Sequence, residues 1–89
     1  MYTIVRSAAF KKDFKRLQKR GLDMSQLQEV IVALASGQAL EHRYKDHSLK
    51  GTYAGFHECH LAPDWLLIYI LTDDELGLAR TGSHADLFE

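Results

Sequence analysis

Trp65-Leu66-Leu67-Ile68-Tyr69-Ile70-Leu71 is the stretch on which the fold turns. It is a nearly continuous apolar run bounded by Pro63-Asp64 on one side and Thr72-Asp73-Asp74-Glu75 on the other. A run of that length between turn signals is a central strand covered on both faces. Working outward, Leu76 to Thr81 makes a last strand with Arg80 near its end. Tyr53 to Leu61 alternates as an extended segment: Phe56, Glu58 and His60 share one face, and His57, Cys59 and Leu61 the other.

The N-terminal half has a different period. Tyr2-Thr3-Ile4-Val5 opens as a short strand. Ser7 then starts a helix whose apolar positions Phe10, Phe14 and Leu17 form one stripe, opposite Lys11, Lys12, Lys15, Arg16, Lys19 and Arg20. Gly21 is its stop. Asp23-Met24-Ser25-Gln26 has the pattern of a capping box, and Leu27, Val30, Ile31 and Leu34 continue a helical period until Ser36-Gly37. Two such helices joined by so short a link form an antiparallel hairpin. Residues 38–52 lose periodicity and read as a long loop. The order β-α-α-β-β-β implies an α+β fold: a small antiparallel β-sheet with an N-terminal two-helix hairpin packed on one face.

Length and composition narrow the function. Residues 1–89 are expected to form one domain, which leaves no room for a Rossmann dehydrogenase or a barrel. One cysteine, Cys59, cannot staple the chain to itself, and no segment approaches the ~20 apolar residues of a membrane span. The expectation is a soluble, cytoplasmic protein. The formal charge of −1 hides an imbalance. Residues 1–50 carry ten Lys and Arg against five acids, whereas residues 51–89 hold Arg80 against seven. Such asymmetry points to a polyanionic partner met by one face.

Five histidines, His42, His47, His57, His60 and His84, supply groups able to move protons near neutral pH. His47 lies in the long loop, His60 at a strand end with Asp64 in the following turn, and His84 just past the strand that ends near Arg80. His57-x-x-His60 is not a ligand pair, because residues three apart on a strand face opposite ways. His47, His60 and His84 with Asp64 could still converge on a metal. The preferred reading is metal-free RNA cleavage. RNA brings its own 2′-hydroxyl nucleophile, so a base, an acid and a cation for the phosphorane suffice.

Three motifs carry a resemblance. Tyr44-Lys45-Asp46-His47-Ser48-Leu49-Lys50-Gly51, then Gly55 to Tyr69 with His60-Leu61-Ala62-Pro63-Asp64-Trp65 at its centre, and Arg80-Thr81-Gly82-Ser83-His84-Ala85-Asp86-Leu87-Phe88 together resemble the YafQ family of bacterial toxins, a branch of the RelE/ParE superfamily. The resemblance implies a RelE-like fold and the toxin of a type II toxin–antitoxin system. That toxin would be a ribosome-dependent endoribonuclease, an mRNA interferase cutting translated mRNA in the A site. It needs no cofactor, and its partners are the ribosome, mRNA and a cognate antitoxin protein. Carried over motif by motif, the catalytic positions are His47, His60, Asp64, Arg80 and His84, with His84 as general acid and Arg80 on the phosphorane. Phe88 would pack on a base, and Lys45, Lys50 and His57 would meet the substrate. His57 stands where the family pattern more often has arginine. The competing readings are a non-catalytic binding protein of the same fold, acting on gyrase or only on its antitoxin, and a small metal-dependent hydrolase.

Overall fold

The structure, a computed structural model, describes residues 1–88. Strand β1 (Thr3–Arg6) leads into helices α1 (Ala8–Lys19) and α2 (Met24–Ala35). Strands β2 (His47–Ser48), β3 (His57–Ala62), β4 (Trp65–Leu71) and β5 (Glu75–Gly82) follow, and a short helix α3 (His84–Phe88) closes the described chain. The sheet order is β1-β5-β4-β3-β2.

The chain is α+β with the helical hairpin on the sheet, as its periodicities imply, but the sheet is mixed. β1 runs parallel to β5, whereas the other pairs are antiparallel. Hydrophobic alternation identifies a strand and says nothing of the direction in which a sequence-distant neighbour runs. The long loop of residues 38–52 is also more ordered than expected. It holds a 3₁₀ turn at His42–Tyr44 and β2, and a second 3₁₀ turn begins at Gly51. Two-residue β2 is too short for period 2 to register.

α1 starts where Ser7 Oγ accepts the Phe10 N–H at 3.0 Å. It stops in a Schellman arrangement: Gly21, at φ +86°, donates to Gln18, and Leu22 donates to Leu17. α2 starts at Asp23, but without the expected box. Asp23 accepts from the Ser25 N–H, while the Gln26 amide leaves the helix to donate to the Leu61 carbonyl of β3.

β4 is covered on both faces, as its apolar run requires. Toward the helices, Cys59, Leu61, Trp65, Leu67, Tyr69, Leu76 and Leu78 pack with Phe10, Leu17, Leu27, Val30, Ile31 and Leu34. On the reverse face Leu66, Ile68 and Leu87 make a smaller core with Leu49, Tyr53, Phe56 and Ala79. Burying each large aliphatic side chain contributes about 1.5–3 kcal/mol, so the helix-side core dominates stability. The smaller core serves instead to seat α3.

One irregularity decides where Arg80 points. From Leu76 and Leu78, both helix-facing, strict alternation would send Arg80 into the helix-side core. The β4–β5 register slips by one residue, so that Tyr69 faces Leu78 but Ile68 faces Arg80, leaving Ala79 as a bulge. Arg80 thereby shares the face of Ile68. Thr81 turns toward the helices, where its hydroxyl accepts from Trp65 Nε1 and donates to the Leu66 carbonyl.

Candidate active site

β2 pairs with β3 so that His47 lies directly opposite Glu58, and His60 follows two residues on along the same face of β3. The Glu58 side chain is 7% exposed and reaches both imidazoles: Oε1 is 3.2 Å from His60 Nε2 and 3.7 Å from His47 Nε2. His47 is fixed from behind as well, its Nδ1 lying 2.8 Å from the Lys45 carbonyl. A carbonyl only accepts, so Nδ1 carries the proton and the lone pair of neutral His47 is on Nε2. His60 Nε2 lies beside the same carboxylate, within ion-pair distance of it. Lys45 sits at φ +49°, the left-handed region, and this turn of the backbone is what presents its carbonyl to His47.

His84 is positioned by a reciprocal cap. The Ser83 N–H donates to Asp86 and the Asp86 N–H donates to Ser83 Oγ, which starts α3. Gly82 makes room for this, since a Cβ there would meet Asp86 Oδ2 at 2.8 Å. Asp86 also takes two hydrogen bonds from Arg20 of α1, at 2.8 and 3.0 Å. Arg20 and the Ser83 bonds hold the Asp86 carboxyl well below the usual carboxylate range. In the β3–β4 turn, Asp64 Oδ1 accepts the His84 backbone N–H at 3.1 Å and lies 3.2 Å from its Nδ1. These two bonds, the backbone one first, lower the Asp64 pKa. With Nδ1–H donating to Asp64, the exposed His84 ring keeps Nε2 free.

The rings form a line. His47–His60, His60–His84 and His84–Phe88 centroids are 6.0, 6.1 and 6.2 Å apart, and Tyr53 meets the Phe88 edge at 6.1 Å. Tyr53 is also a neighbour of Arg80. Arg80 itself is held by Asp13 of α1, through Nε–Oδ2 at 2.6 Å and Nη2–Oδ1 at 3.1 Å. That bond, opposed by partial burial, raises the Arg80 pKa further, so the guanidinium stays charged. Asp13 also accepts the Thr81 N–H at 3.1 Å, while Ser7 Oγ donates to the Ala79 carbonyl. Side chains of α1 and of its N-cap thus serve the stretch of β5 that β1 does not reach.

His47, His60, Asp64, His84 and Phe88 therefore lie together, with Arg80 at the margin of the same face. Lys45 adjoins the group through its carbonyl, whereas Lys50 is exposed and makes no side-chain hydrogen bond or ion pair among the described residues. His57 is elsewhere. It lies on the opposite face of β3, stacked on Tyr69 at 5.5 Å and 3.7 Å from Asp46. Cys59 is buried, and burial pushes its thiol up to about 12, so it offers no nucleophile.

Sequence reasoning passed over Glu58 and Asp13. Glu58 had a signal, its alternation with His60. Asp13 had one too, a charge on the stripe of Phe10, Phe14 and Leu17. His47, Glu58 and His60 also offer three ligand atoms within 4.8 Å of one another, donors suited to a first-row transition metal.

The family model described as "Bacterial toxin of type II toxin-antitoxin system, YafQ" matches residues 2–89. The chain belongs to the YafQ family. It is 45% identical over 83 residues to the mRNA interferase toxin YafQ of Escherichia coli K12, covering 92% of this chain and 90% of that one. The YafQ of the E. coli DinJ–YafQ complex matches the whole of both chains at a TM-score of 0.93 and 42% identity. A metal-bound toxin from Helicobacter pylori matches 99% of this chain and all of its own at 0.92 and 48%. The family expectation drawn from the three motifs is thus met across nearly the full chain, the RelE-like α+β architecture of these YafQ neighbours included.

Proposed function

We propose that this YafQ-family toxin is an mRNA interferase that cuts translated mRNA on the ribosome, in the A site, by metal-free acid–base chemistry. The observation that carries the reading is the line of three imidazoles, each oriented by an acceptor on its far nitrogen or by a shared carboxylate, ending near a guanidinium. The His47–Glu58–His60 group takes the proton of the RNA 2′-hydroxyl. The freed O2′ attacks phosphorus, the P–O5′ bond breaks, and His84, protonated on Nε2, gives its proton to O5′. The products are a 2′,3′-cyclic phosphate and a 5′-hydroxyl, so atoms and charges balance. Asp64 steadies the His84 imidazolium, Arg80 compensates the extra charge on the phosphorane, and Phe88 packs against a base.

The ribosome is engaged through phosphates. Lys12, Lys15, Arg16, Lys19 and Arg20 make one basic surface on α1. A cognate antitoxin holds the toxin in check, a reading supported by the DinJ partner of the E. coli homologue.

The His47–Glu58–His60 trio gives one competing reading substance, a metal-dependent hydrolase. Mapping 5′ ends on one message, naked and on translating ribosomes with chelator present, separates the cases. Ribosome-only cuts that survive chelator and fall about 10²–10⁴-fold in His84→Ala support the proposal. Cuts that vanish with chelator mean a metal enzyme. Folded protein that never cuts is a binding protein only.

A further inference from the structure

Beside His60 lies a cleft of about 430 Å³ lined by Arg43, Tyr44, Lys45, Leu61, Ala62 and Pro63 as well as His60 itself. That volume is at the small end of the ~300–1,000 Å³ typical of small-ligand sites, room for one nucleotide. Its chemistry is uneven in a telling way. The floor is apolar: Leu61 and Ala62 at the end of β3, then Pro63. One wall is planar and cationic. The Arg43 guanidinium carbon lies 4.6 Å over the Tyr44 ring, and Nη2 donates to the Tyr44 hydroxyl at 2.8 Å. Tyr44 is 9% exposed, so the ring that carries this guanidinium is anchored in the core. The rim holds Lys45, and among the described residues no carboxylate lines the cleft, while exposed Glu41 Oε2 lies 3.4 Å from Arg43 Nε beside it.

A flat guanidinium above an apolar floor, with an ammonium at the edge, is a seat for a nucleobase and its phosphate. The cleft is also continuous with the candidate active site at two points. His60 belongs to both, and Lys45, whose carbonyl holds the His47 ring, lines the cleft. Resting on the RNA-cleavage reading above, we propose that this cleft is a specificity subsite for one nucleotide of the message adjacent to the scissile phosphodiester, its base stacked on Arg43 and its phosphate on Lys45. None of the family motifs includes Arg43 or places a base there.

The test is the distribution of cuts over codons on translating ribosomes, for the wild type, Arg43→Ala and Ala62→Phe, the last of which fills the cleft. Folding is checked by circular dichroism and by binding to the antitoxin. The subsite predicts that each variant loses about tenfold in the ratio between its best-cut and worst-cut codons, the size of one stacked base. An unchanged ratio in folded Arg43→Ala overturns the inference while leaving RNA cleavage intact. An unchanged ratio joined to weakened neutralisation overturns it in favour of a peptide pocket. Should Ala62→Phe not fold, Arg43→Ala decides alone. Wild-type protein that cuts nothing fails the underlying reading, a distinct result from the other two.

Discussion

Asp13 shows most sharply how one residue of the fold serves the site. Its carboxylate is buried, yet it meets the Arg80 guanidinium, the Thr81 N–H and Arg16 at 2.7 Å. Removing its charge leaves Arg80 without its partner and weakens the β5 edge. Asp13→Asn is expected to lower stability by about 2 kcal/mol, the worth of a charged hydrogen bond on a partly exposed cation, read from urea unfolding. It is also expected to slow cutting. In an Arg80→Ala background the slowing should disappear, because Asp13 then has no guanidinium to aim; a purely structural role would leave the two losses additive. Glu58→Gln is the parallel case on β3. The amide keeps the volume but removes the negative charge that lies between the two imidazoles, so cutting on ribosomes should fall at least about tenfold with little change in unfolding. At this scale the sequence was partly legible. His47, His60, Asp64 and His84 stand in recognisable motifs, whereas Asp13 sits 67 residues from Arg80 in the chain and nothing local marks their pairing.

Among the elements, α3 has the least stability of its own. Five residues are far too few for an isolated helix in water, so tertiary contacts must supply it. They are the Ser83–Asp86 cap, the Arg20–Asp86 pair and the buried Leu87, and they fix His84 at its first position. Asp86 and Asp64 both have lowered pKa values in the folded protein. A depressed carboxylate contributes stability that is present above its unfolded value, about 3.9, and is lost as pH falls through the folded value. Unfolding free energy should therefore be flat near neutrality and drop with acid below about pH 4, and Asp86→Asn should show a smaller drop together with lower stability at pH 7. An equal acid dependence in the variant would mean that other carboxylates govern it. The helices, their N-caps and the Gly21 stop could be read from period and end residues. The parallel β1, the two-residue β2 and α3 could not. Pairing direction, very short strands and helices held by distant ion pairs leave no periodic trace.

For the molecule as a whole, charge is laid out along the sheet. The acidic turn Asp73-Asp74-Glu75 lies at the opposite end of β4 from Asp64, about 20 Å away at about 3.3 Å per residue, and the basic face of α1 flanks β5. Part of the charge imbalance between the halves of the sequence thus becomes a separation in space, the acids of the 73–75 turn standing apart while Asp86 of the same half is paired with Arg20. Not all the basic residues are available to a partner. Arg16 and Arg20 are committed to Asp13 and Asp86, while Lys12, Lys15 and Lys19 make no ion pair among the described residues. Those three lysines are the ones expected to displace counterions from ribosomal RNA. Binding to empty ribosomes should weaken with salt, and the slope of log K against log salt should fall by about two when Lys12, Lys15 and Lys19 are all changed to alanine, at about 0.7–0.9 per phosphate neutralised. The measurement is co-sedimentation across a salt series, with His84→Ala as the toxin background so that no message is cut. An unchanged slope would move the ribosome-facing surface away from α1, to Arg43, Lys45 and Lys50 around the long loop.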